Sequence, residues 1–205
     1  MEIKDSGNRR EFAGGGVRDM AEGKGACHLL PLDIVSNVYD YIEKTGKNNI
    51  TFSPAKILRN LNEYIRHGKT LGILDNIAAF ALWRYENLET AILEVAIHYE
   101  MGAKKYAPRN WERIGETDTF VDSATRHFLK FMRGDDDEPH DRAFLWNLLG
   151  LLWTVKTLHQ KEVNALGIFK DIFEDDNNDI QTGLFDTIRQ NAAMVTGQSK
   201  PHLEK

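Results

Sequence analysis

Apolar residues along this chain recur at the helical spacing of three and four, and no stretch alternates at period two for long enough to predict a strand. Leu32, Val35, Val38, Tyr39 and Ile42 line one side of a helix predicted over 33–43, entered through His28-Leu-Leu-Pro-Leu32. Thr45-Gly-Lys-Asn-Asn49 breaks that pattern. Ser53-Pro54 starts the next helix, with a capping hydroxyl followed by proline at the first helical position. Ile57, Leu58, Leu61 and Ile65 then hold the period until Gly68. Further helices are predicted over 71–85 and 88–105, the second ended by Pro108. A helix over 119–134 turns Phe120, Ala124, Phe128 and Phe131 inward, and Gly134-Asp-Asp-Asp-Glu-Pro139 interrupts it. A long apolar helix over 141–158 comes next. A shorter amphipathic segment (163–173), an acidic loop (174–179), a last helix (183–194) and a polar tail complete the chain. The fold class is all-α, with residues 1–16 read as a flexible arm.

Composition changes this picture little. At 205 residues, with 41% hydrophobic and 28% charged residues, the chain suits one globular domain, or one with an inserted subdomain. A net charge of −5 argues against a dedicated nucleic-acid binder. No run of 18 apolar residues and no apolar signal core occurs, so no membrane partner is expected. The single cysteine, Cys27, cannot close an internal disulfide and is expected to be a buried small apolar residue. It fits a reducing, cytoplasmic setting. The glycine-rich stretch 14–25 carries Arg18 and Lys24 but is too irregular for a P-loop. It reads either as a surface linker or as a loop that folds over phosphates.

The chemistry-bearing residues concentrate between 100 and 147. Glu100-Met-Gly-Ala-Lys-Lys-Tyr-Ala-Pro-Arg-Asn-Trp111 places a carboxylate one turn before Lys104, with Lys105 and Arg109 close behind, a cationic group suited to phosphate oxygens. Taken alone, Glu100 and Lys104 also read as an exposed ion pair. Asp122-Ser-Ala-Thr-Arg-His127 sets Asp122 one turn from Arg126, and Ser123 one turn from His127 on the adjacent strip. His140 and Asn147, seven apart, share a helix face. Asn147 lies in so apolar a run that its amide needs a partner. Asp135 to Glu138 form an acidic run that suits either a solvated loop or a divalent cation, and Glu138 and Asp141 stand one turn apart at a helix start.

These pieces, in this order, resemble the phage and bacterial dATP/dGTP diphosphohydrolases, relatives of the MazG-like all-α nucleoside triphosphate pyrophosphohydrolases. The resemblance rests on Val17-Arg-Asp with Glu22-Gly-Lys-Gly and Leu29-Leu-Pro31, the Glu100–Trp111 piece, the Asp122–His127 piece, and Pro139-His140 with Trp146-Asn147. It implies a MazG-like helical bundle over 17–160; the chain departs from the family in residues 43–92, read as inserted helices, and 161–205 are read as a C-terminal extension. It further implies hydrolysis of a purine deoxynucleoside triphosphate to the monophosphate and pyrophosphate, with Mg2+ or Mn2+. The expected metal ligands are Glu100, Asp122, Glu138 and Asp141, with a carboxylate or His127 orienting the attacking water. Lys104, Lys105 and Arg126 would neutralise the triphosphate. Arg18 and Lys24 would close over it. Tyr106, Asn110, Trp111, His140 and Asn147 would complete the substrate site, and a homo-oligomer is expected. Two rivals stand beside this: an HD-type phosphohydrolase, suggested by His127 and His140-Asp141, and a non-enzymatic helical interaction protein.

Overall fold

The structure, a computed structural model, describes residues 7–20 and 22–165. Among the described residues six α-helices follow a short hairpin: α1 (Leu32–Thr45), α2 (Pro54–His67), α3 (Leu71–Tyr85), α4 (Leu88–Tyr106), α5 (Thr117–Arg133) and α6 (His140–Ala165). Local chemistry sets several of their ends. The Ser53 hydroxyl accepts from the Lys56 N–H at 3.5 Å to start α2. The Asn87 side chain accepts from the Thr90 N–H at 2.7 Å to start α4. Gly68 and Gly134 close α2 and α5 in the left-handed conformation that costs glycine least.

α3 is the central helix. Ile73, Ile77, Ala78, Phe80 and Ala81 are fully buried along it, and it packs against α1, α2, α4 and α6. The Phe80 ring sits 4.9 Å from Phe144 of α6 and 5.3 Å from Phe131 of α5, both edge-on. Burying Asp75 in this helix requires partners. Tyr41 donates to it at 2.8 Å, Lys56 pairs with it at 2.8 Å, and Asn60 donates at 3.1 Å. Burial and the Asp75 charge push the Tyr41 phenol up to about 12. α5 and α6 form the most extensive helix pair. They approach closely at Gly150, where a side chain would collide with Phe120.

The all-α expectation holds with one correction. β1 (Arg9–Glu11) and β2 (Val17–Asp19) pair antiparallel, Arg10 opposite Arg18, within and beside the stretch read as an arm. Three-residue strands with almost wholly exposed positions leave no apolar alternation to read. Cys27 is also exposed rather than buried, in the 3-10 turn Cys27–Leu29. The long helix runs on to Ala165. The acidic loop and last helix expected after it lie outside the described residues. Among the described residues, no helix is long and apolar enough to cross a membrane.

Candidate active site

Each residue of a helix is turned about 100° from the last. His98, Gly102 and Lys105 therefore share one strip of α4, while Glu100 and Lys104 lie on another. The first strip faces a cavity of about 500 Å3. Its other walls are Arg109, Asn110 and Trp111 from the turn after α4, Ser123 and His127 of α5, Glu138, and Trp146 and Asn147 of α6. Aromatic rings build one side. Trp111 packs edge-on against Tyr99 at 5.5 Å and Trp153 at 4.9 Å, and Trp146 lies 5.8 Å from Tyr99. Two cations stand among the walls. Arg109 is held by Glu112 and by the His28 carbonyl at 3.1 Å. Lys105 rests 4.8 Å from the Tyr106 ring centre, and no carboxylate pairs with it among the described residues.

Three buried polar atoms on residues lining this cavity have no partner among the described residues: His98 Nδ1, the Tyr99 hydroxyl and Trp111 Nε1. An unsatisfied buried group costs about 1–3 kcal/mol, so the cavity carries hydrogen-bonding capacity that a polar ligand can use. Burial pushes His98 down to about 4, with the His127 charge as a smaller cause, which leaves it neutral at pH 7. The backbone at the rim is strained. Ala107 adopts φ 91 and ψ 154, and Arg109 adopts φ 57.

At one end of the cavity His127 Nδ1 meets His140 Nδ1 at 3.0 Å. The Glu138 carboxylate lies 3.5 Å from both nitrogens. Asp137 takes the other His140 nitrogen at 2.8 Å and is itself held by Lys130 at 2.9 Å. Those two contacts, Lys130 first, hold the Asp137 carboxyl down at about 2. Burial is the main cause that lowers His127. These residue types, this close together, are able to bind a cation.

The other expected residues lie elsewhere. Glu100 accepts the Gly23 and Gly25 N–H groups at 2.9 and 3.0 Å and pairs with Lys104 at 3.0 Å, and Lys104 also reaches Glu22. The Gly23 N–H is the first cause that holds the Glu100 carboxyl below its ordinary range. Gly25 fits against Ala96, where a Cβ would come within 3.0 Å, so the small residues of α4 admit a loop there. Asp122 pairs with Arg126 across a shallow cleft on the outer side of α5. Asp141 is buried against Arg84 at 3.0 Å. Lys24 pairs with Asp19 at 3.6 Å, and Arg18 is exposed on β2.

Of the four expected metal ligands, then, only Glu138 joins a cluster with other potential ligands among the described residues. A carboxylate from the Glu100 strip and one from the Asp122 strip each point away from the cavity that their helices wall. The sequence reading passed over His98, although it shares the strip of Gly102 and Lys105. That strip was its only signal.

An all-α bundle that sets aromatic rings, two cations and a histidine–carboxylate cluster around one cavity is equipped for an anionic, ring-bearing ligand. Residues 80–165 match the family model described as dATP/dGTP diphosphohydrolase, N-terminal. The matched segment begins inside α3 and ends with α6. It contains every cavity residue named above, but not the Val17–Pro31 piece of the resemblance. No curated protein and no solved structure matches the chain.

Proposed function

We propose that the cavity binds a purine deoxynucleoside triphosphate and hydrolyses it to the monophosphate and pyrophosphate with the help of a divalent cation. One observation carries this reading: Lys105, Arg109, the Trp111 and Trp146 rings and the His127–Glu138 pair all wall a single cavity of about 500 Å3 inside the family segment. That volume is of the size that small-molecule sites use. In this reading the base lies along the aromatic wall, where Trp111 Nε1 and the Asn110 and Asn147 amides are the polar groups near it. The phosphates lie toward Lys105 and Arg109, whose charges offset theirs. Tyr106 supports Lys105 from below.

Phosphoryl transfer depends on position and charge neutralisation more than on covalent help from the protein. Glu138 carries the group placed to take a proton from water, because one of its carboxylate oxygens remains free when the other and His127 hold a cation. A cation bound here would add positive charge beside the phosphates and make a bound water more acidic. The donors present fit such an ion, because two imidazole nitrogens and a carboxylate oxygen lie within bonding reach of a common point. Glu100 and Lys104 contribute by fastening the loop at 22–25 against α4.

The test is incubation with each deoxynucleoside and ribonucleoside triphosphate plus Mg2+, Mn2+, Co2+ or Zn2+, with the products separated by chromatography. Monophosphate and pyrophosphate are expected, from purine deoxynucleotides fastest. Release of nucleoside and intact triphosphate would instead support an HD-type reaction. No turnover with any nucleotide would remove the enzymatic reading.

A further inference from the structure

We propose that His127, Glu138 and His140 form a binding site for a transition-metal ion that accepts imidazole ligands, such as Co2+ or Zn2+, rather than a site built for Mg2+. The ion belongs to the cavity of the proposed hydrolysis, and the inference rests on that reading only for what the ion is for.

The geometry is a triangle of three donor atoms. The two Nδ1 atoms are 3.0 Å apart, and Glu138 Oε1 lies 3.5 Å from each. A point equidistant from all three lies about 1.9 Å from each, just inside the roughly 2.0–2.2 Å bonds that zinc makes to imidazole nitrogen and carboxylate oxygen. A small displacement from the plane of the triangle brings the distances into that range. Two histidines and one carboxylate on one face, with other positions open, is a recurrent arrangement for transition ions. Mg2+ prefers oxygen ligands and gives up water reluctantly.

The surroundings prepare the nitrogens. His140 has a fully buried side chain, and its Nε2 faces the Asp137 carboxylate at 2.8 Å. The proton therefore sits on Nε2, and the Nδ1 lone pair points at His127. A carboxylate behind a ligating histidine is what metal sites commonly use to set the tautomer and ring orientation. Lys130 fixes that carboxylate in turn. His127 and Glu138 are themselves cavity walls, so an ion held by them is within reach of whatever the cavity binds.

The test is titration of the metal-free full-length chain with Co2+ in the absence of nucleotide, followed by visible absorption and calorimetry. One Co2+ per chain with ligand-field bands is expected, displaced by Zn2+ but not by an excess of Mg2+. His127→Gln and Glu138→Gln should each weaken binding at least about tenfold, as should Asp137→Asn, which acts through His140. Circular dichroism confirms that each variant is folded, and Glu138, the most exposed of the three ligands, supplies the answer if His127→Gln is not. Absence of a bound ion, unchanged affinity in Glu138→Gln, or displacement by equimolar Mg2+ would each overturn the proposal. Co2+ binding without hydrolysis of any nucleotide would leave the site standing and remove the substrate reading instead.

Discussion

Replacing Gly150 of α6 by alanine sets two effects of opposite sign against each other. Alanine in place of glycine inside a helix gains about 1 kcal/mol. At this position, however, the new Cβ would lie 2.5 Å from Cε1 of Phe120 and 3.0 Å from two further atoms of that ring. Carbon atoms settle at about 3.5–4.0 Å, so the ring must retreat by roughly 1 Å. Phe120 has nowhere to go: it is fully buried and its ring lies 5.9 Å from Trp146. Overfilling a packed core costs about 1–3 kcal/mol, so the net effect expected is a destabilisation of about 1 kcal/mol. Gly102 of α4 is the control. A Cβ there meets nothing within 4 Å, and Gly102→Ala should be stabilising by about 1 kcal/mol. The two variants should thus differ by about 2 kcal/mol, or roughly 4–8 °C in Tm for a chain of this length. Urea and thermal unfolding of both, side by side with the parent, measure it. If Gly150→Ala raises the Tm as much as Gly102→Ala does, the close packing of α5 on α6 is not as described.

Ala107 holds φ 91 and ψ 154, a region that glycine alone occupies at low cost. Ala107→Gly should therefore stabilise the protein by about 1 kcal/mol, and a lower Tm for that variant would show that no strain is stored there. Lys105→Met removes a charged donor from the proposed phosphate end, and loss of one charge-assisted hydrogen bond predicts a KM raised at least about tenfold. Steady-state kinetics showing an unchanged KM would move the phosphates away from Lys105. The Glu100 carboxyl titrates below its ordinary 4.5 because of the Gly23 N–H, Lys104 and the Gly25 N–H. A carboxyl depressed by folding stabilises the protein above that ordinary value and loses the contribution as pH falls through the lower, folded one. Stability measured from neutral pH to well below 4.5 should fall more steeply for the parent than for Glu100→Gln, and parallel curves would contradict this.

The helices and most of their limits were legible in the residues because helical period and capping are local. Ser53-Pro54, Gly68 and Gly134 mark ends that the structure reproduces, and Phe120, Ala124 and Phe128 are buried as their spacing requires. The hairpin was not legible, since its backbone pairing involves no apolar pattern. Within the stretch 100–147, Lys105, Asn110, Trp111, His127, Glu138 and Asn147 line one cavity.

What the chain could not settle by itself is which strip of each helix turns inward. Glu100 with Lys104, and Asp122 with Arg126, are spaced one turn apart just as His98 with Gly102, and Ser123 with His127, are. Only the packing of α4 and α5 on α6 decides that the second set walls the cavity while the first grips a loop or lines an outer cleft. The residue types, their helical spacing and the family segment are properties of the sequence. The meeting of His127 with His140 is a property of the tertiary structure, because it needs two helices held at one distance by a core that neither contains alone.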